Sequence, residues 1–240
     1  MAVDTINTSL SANDARILNA LFDPETLPSS VAKSKDASTI DTTLPSHPTI
    51  STSRLSVLET QQNDIIRRTS GEFSADLIEN GIKELDTIIA SNPTYPSAFV
   101  NRAQLKRIRI EGSLPRNAHI FSAVEADIEV LFTDLSRAIH LSLPPSSPTD
   151  PVSAYQARIL RTAYSHRAFL YLKASETSTD LKGLGKNELE ELASKDFAAA
   201  ARYGDEVARE MSVRTNPYAK MCGAIVKNAL REEKKGSGMI

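Results

Sequence analysis

Leu77-Ile78-Glu79-Asn80-Gly81-Ile82-Lys83-Glu84-Leu85-Asp86-Thr87-Ile88-Ile89-Ala90-Ser91-Asn92-Pro93 places large apolar residues at 77, 78, 82, 85, 88 and 89. Steps of three and four residues keep those side chains on one face of a helix, whereas a strand would alternate them. Asn92-Pro93 ends the run, because proline has no amide donor and restricts the residue before it. Within the run, Gly81, Leu85 and Ile88 set a small or medium residue, a large one four later, and a small or medium one three later. The same spacing returns at Leu131, Leu135, Ala138 and at Ala193, Phe197, Ala200. Small positions let two helices cross closely while the large side chain fills the groove between them.

Working outward, each triplet has a partner helix before it. Leu55, Leu58, Ile65 and Ile66 precede the first, with a turn at Ser70-Gly71-Glu72. Phe99, Ala103, Leu105 and Ile108 precede the second; Gly112-Ser113-Leu114-Pro115 breaks the chain, and Val124, Ile128, Leu131, Leu135 and Ile139 follow. Leu143-Pro144-Pro145-Ser146-Ser147-Pro148 cannot continue a helix, so the chain restarts near Ser153 with Ile159, Ala163, Tyr164 and Leu170, and a loop over 175–186 leads to the third triplet. Gly204 suits a helix C-terminus because glycine accepts the left-handed conformation. Val207 and Met211 then fall on a short helix, and Tyr218, Met221, Cys222, Ile225, Val226 and Leu230 form a stripe on a last one that is expected to cap the stack. No alternating stretch is long enough for a sheet, so the class expected is all-α. Toward the N-terminus, residues 1–26 are expected to form a short amphipathic helix with Leu18, Leu21 and Phe22 on one face. Residues 27–53, rich in Ser, Thr and Pro, are expected to be a flexible linker. The helical domain is assigned to 54–233 and a flexible tail to 234–240.

Composition removes several classes of function. With 28 basic against 30 acidic side chains, the formal charge is -2, which offers no broad attraction to nucleic acid or an anionic membrane. The single cysteine, Cys222, cannot form an internal disulfide, which agrees with a reducing compartment. Cys222 is expected to pack in the apolar stripe of the last helix. No apolar run approaches the roughly 20 residues of a membrane span, and the N-terminal sequence lacks the pattern of a secretion signal. A cytoplasmic protein, with the nucleus also open to it, is expected. His47, His119, His140 and His166 lack the short paired spacings of a zinc site. There is no glycine-rich phosphate loop, no GxSxG elbow and no acidic pair at a catalytic spacing, so no enzyme and no cofactor are expected.

The triplets resemble the second helix of the tetratricopeptide repeat. Pro93 falls where that repeat has proline, and Phe99 with Ala103 and Tyr164 with Ala168 match the aromatic and small positions of its first helix. The repeats are spaced more widely than the standard ~34 residues, which places insertions in the turns. The resemblance implies an α-solenoid of three tetratricopeptide-like helix hairpins with a C-terminal capping helix. AlaArgIleLeuAsnAlaLeuPheAspPro over 15–24, SerAlaPheValAsnArgAlaGln over 97–104 and AsnProTyrAlaLysMetCys over 216–222 are similar to the tetratricopeptide repeat protein 36 family. That resemblance implies three repeats, no catalysis and protein partners, namely an Hsp70-type chaperone or, alternatively, an enzyme of tyrosine metabolism that the chain would regulate or stabilise.

In such stacks the first helices line the concave face, which is the default surface for a partner. The candidates there are Asn101, Arg102, Gln104 and Arg107 on one helix and Thr162, His166, Phe169 and Lys173 on another, with Ser97 beside them. Repeat proteins that grip the C-terminal carboxylate of chaperones resemble this chain at Asn101. Thr162 and His166 stand where that clamp has a lysine and an arginine. Arg102, Arg161 and Arg167 have a second reading, as solvated groups or as partners of acids such as Glu129 and Asp196.

Overall fold

The structure, a computed structural model, describes residues 40–71, 74–177, 179 and 181–236. The short helix and the first part of the linker expected near the N-terminus lie outside them. Among the described residues the chain is helical: α1 (Thr52–Thr69), α2 (Ala75–Ser91), α3 (Pro96–Ser113), α4 (Glu125–Ser142), α5 (Ala154–Glu176), α6 (Lys186–Arg202), α7 (Glu206–Thr215) and α8 (Pro217–Gly236). A single 3-10 turn, Ile120–Ser122, precedes α4, and the only extended pairings described are the isolated bridges Ile40–Val152 and Leu181–Leu184. Each helix packs on the one before and the one after it, and α3 also touches α5, so the helices form a solenoid-like stack.

Local chemistry sets the boundaries. Ser51, Ser74 and Asp205 each accept an amide from the first turn of α1, α2 and α7, and Ser153 with Gln156 forms a reciprocal capping box at the start of α5. Pro96 opens α3, where its missing N–H is no loss. Gly204 takes φ +88° between α6 and α7, as its sequence position suggested.

Three apolar clusters run along the stack. The first, built on Leu58, Ile78, Leu85 and Ala98, joins α1, α2 and α3; the second, on Leu131, Leu135, Ala138 and Leu160, joins α3, α4 and α5; the third, on Ala168, Ala193, Phe197 and Ala208, joins α5, α6 and α7. The small-large-small triplets sit at these crossings. A Cβ at Gly81 would come within 3.0 Å of both Leu105 Cδ1 and Thr69 Cγ2, so α2 meets α1 and α3 at a distance that only glycine accommodates freely.

Three readings of the sequence differ from what the structure shows. Residues 40–51, read as part of a flexible linker, form a strap across the helices. The Asp41 amide donates to the Val152 carbonyl at 2.9 Å, and Ser153 Oγ donates to the Ser46 carbonyl at 3.0 Å. His47 is buried: its Nδ1 accepts the amides of Thr49 and Ile50, each at 3.1 Å, and its Nε2 donates to the Thr94 carbonyl at 3.0 Å. Hydrogen bonds fix this largely polar segment together with the packing of Ile40 and Ile50 on the core, and composition does not register such bonds. The second difference is α8. Cys222, expected to be packed, is exposed, and so are Tyr218, Met221 and Ile225. Periodicity identifies an apolar stripe but does not say whether another element covers it. Val124, expected on the inward face of α4, instead precedes that helix and is exposed.

Candidate functional site

The first helices of the pairs, α1, α3 and α5, face one another along one side of the stack. Near α1 that side is already filled. Arg158 on α5 reaches Glu59 on α1 at 2.6 Å, Tyr95 donates its hydroxyl to the same carboxylate at 2.7 Å, and Gln62 donates to Ser97 at 2.6 Å. Burial pushes the Tyr95 hydroxyl far above its usual range, followed in effect by the neighbouring Tyr155, so the phenol stays a donor to Glu59.

The open part lies between α3 and α5, a cavity of about 410 Å³ lined by Gln104, Arg107, Arg161, Thr162, Ser165, His166, Phe169 and Asp205. Residues 162, 166, 169 and 173 stand at steps of four, three and four, on one face of α5, and Gln104 and Arg107 face them from α3. Two cations lie against the ring of Phe169, Arg107 Cζ at 5.3 Å and Lys173 Nζ at 5.7 Å from its centroid. Lys173 is also held by Glu176 at 2.7 Å, and Arg107 by Glu111 at 3.6 Å. Arg107 Nε and His166 Nε2 are enclosed yet make no hydrogen bond among the described residues. Arg161 is exposed and carries no hydrogen bond or ion pair among the described residues. Asp205 accepts from the Ser165 hydroxyl and from the Ala208 amide, so its carboxylate is already engaged.

Five of the eight residues singled out from the sequence therefore meet in one cavity, and Lys173 sits at its edge. Asn101, one turn earlier on α3, does not line it. Arg102 does not belong to this face. It points the other way, donating from Nε to Asp134 at 2.8 Å and from Nη1 to Asp86 at 2.7 Å, because adjacent helical residues diverge by about 100°. Arg167 is likewise engaged, with Asp196 at 2.6 and 2.8 Å. Arg161, Ser165 and Asp205 complete the cavity and were not among the eight. An acid just before a helix start was the available signal for Asp205, as an N-cap.

Burial first, and the Arg107 charge second, push the His166 imidazole down to about 4 from 6.5. The folded protein therefore holds it neutral at pH 7. Below 6.5 the unfolded chain binds a proton that the folded chain refuses, so this group's contribution to stability is lost as the pH falls from 6.5 toward 4. Replacing His166 with Gln should remove about 2–3 kcal/mol of the stability lost between about pH 7 and about pH 4.5, read from denaturant midpoints. Superimposable pH profiles for the two proteins would contradict it.

Among the described residues no group of three or more His, Cys, Asp and Glu side chains could hold a metal ion, and no described helix is long and apolar enough to cross a membrane. No family model matches the chain, and no solved structure matches it. Over 95% of its length it is 43% identical to the L-tyrosine degradation gene cluster protein hmgX of Aspergillus fumigatus, covering 94% of that protein. It is 26% identical to the Tetratricopeptide repeat protein 36 homolog of Drosophila melanogaster, over 95% of this chain and 98% of that one. To the Tetratricopeptide repeat protein 36 of Xenopus tropicalis it is 22% identical, over 94% and 90%. The family assignment suggested by the three sequence motifs is thereby corrected, since chains of that name are much more distant than the fungal one. At 43% identity over nearly the full length of both, the chain belongs to the family of the L-tyrosine degradation gene cluster protein hmgX.

Proposed function

We propose that this chain is a non-catalytic scaffold in tyrosine degradation, and that it regulates or stabilises an enzyme of that route by binding it between α3 and α5. In this reading the stack is an α-solenoid of three tetratricopeptide-like hairpins with α8 as its cap. The observation that carries the proposal is the set of unspent nitrogen groups, two of them arginine, in one cavity. Among the described residues Arg107 Nε, His166 Nε2 and the Arg161 guanidinium have no hydrogen-bond partner, while the carboxylate of Asp205 that lines the cavity is already engaged. Such a cavity suits an acceptor-rich, acidic segment of a protein partner, with Phe169 as the apolar floor. That the fungal relative is named as an L-tyrosine degradation gene cluster protein supports the route. Nothing in the cavity favours a chaperone tail over another acidic segment.

The test is affinity capture from native cells, comparing the native chain with an Arg107→Glu/Arg161→Glu variant. A tyrosine-degrading enzyme should come down with the native chain, and the variant should bind it about tenfold more weakly or worse, with helical content unchanged by circular dichroism. Equal retention of the enzyme by both proteins would move the site off this face, and capture of an Hsp70-type chaperone in its place would reject the assignment to tyrosine degradation.

A further inference from the structure

A second cavity lies on another part of the surface, between α4, α5 and the turn that follows α5. Its floor is the aromatic pair Phe132 and Tyr171, with ring centroids 5.0 Å apart and planes tilted by 39°. Leu181 and Leu184 close one side through a tight turn in which Lys182 and Gly183 both have positive φ, 57° and 76°, and the Leu184 amide donates to the Leu181 carbonyl at 3.1 Å. That is the geometry of a two-residue hairpin turn, which is stiff. Lys182 reaches back to Glu129 on α4 at 3.1 Å and ties the turn to the helix wall.

The rim is basic. Arg137 and His140 project from α4 into the opening, and neither makes a hydrogen bond or an ion pair among the described residues. At about 460 Å³ the cavity falls in the range of small-molecule sites, which are apolar hollows with a few polar groups that orient the ligand. Aromatic rings stack on tilted aromatic pairs, and a guanidinium pairs with a carboxylate by two parallel hydrogen bonds.

We propose that this cavity binds a small aromatic carboxylate, its ring on Phe132 and Tyr171 and its carboxylate on Arg137 with His140 beside it. The site is separate from the α3–α5 groove and shares no lining residue with it. The proposal gives the chain a ligand as well as a partner, and it stands whether or not the groove binds an enzyme.

Phenylacetate is the probe, titrated into the full-length protein by calorimetry and by ligand-observed NMR. Saturable binding at one site is expected. Arg137→Glu should weaken it about tenfold to a hundredfold, and because Arg137 is exposed and unpaired the variant should fold as the native chain does. Acetate, which has the charge without the ring, should bind at least about tenfold more weakly, since ring burial supplies the remainder. The Arg107→Glu/Arg161→Glu groove variant should bind phenylacetate as the native protein does. Absence of saturation at millimolar phenylacetate, equal binding by acetate, or an Arg137→Glu protein with native affinity would each overturn the proposal.

Discussion

Asp134→Ala should lower the unfolding free energy by about 3–5 kcal/mol, measured from denaturant midpoints. Asp134 is 2% exposed and accepts two hydrogen bonds from the Arg102 fork, whose side chain is itself only 16% exposed. The Lys106 ammonium lies 3.9 Å away. Without the carboxylate, two cations remain in a half-buried site, and Asp86 on the more open side answers only one arm of Arg102. The loss therefore reflects the charge left behind more than the worth of the pair. An Arg102→Leu/Asp134→Leu double variant, which removes both, should recover most of the stability. If the single and double variants are equally damaged, the burial of charge is not what makes the single variant fail.

Phe197→Ala should cost about 3–5 kcal/mol by opening a cavity in the third cluster. That cluster is otherwise built from alanines, Ala168, Ala193, Ala200 and Ala208, with Tyr164, Tyr171, Leu172 and Met211 at its edge. The alanines beside it carry no side chain that could reach into the space, so only the residues at the edge can relax toward it and much of the cavity remains. The damage should be local, because each helix pair leans mainly on its neighbours. Amide hydrogen exchange should accelerate through α6 and α7 while α1 and α2 keep their native protection. Uniform acceleration over the whole chain would mean that the stack opens as one unit.

The helices and their crossings were legible because the information is local. Leu131, Leu135 and Ala138 fall on one face whatever lies beyond them, and their small and large sizes already indicate a close crossing. What depends on residues far apart in sequence was not legible. His47 gives no apolar signal, and the carbonyl it binds lies 47 residues further on, at Thr94. Arg102 was placed among the partner-binding residues with a second reading as the partner of an acid; the second holds, but the acid, Asp134, lies 32 residues later and spacing alone did not name it. Of the groove, the face formed by Thr162, His166, Phe169 and Lys173 followed from helical spacing. Arg161 and Asp205 did not, since their place in the cavity depends on how α5 and α7 meet. Motif similarity gave a repeat-like fold but ranked the wrong relatives first, because short shared motifs weigh less than identity along the whole length.

A row of helix pairs open at both ends can unzip from either one. In this chain the strap ties Ile40 to Val152 and His47 to Thr94, so the α1 end cannot peel away unless contacts more than a hundred residues apart break with it. The α1 end is thus latched, and any load that a bound protein puts on it has to break the strap before the first helix can leave its neighbours.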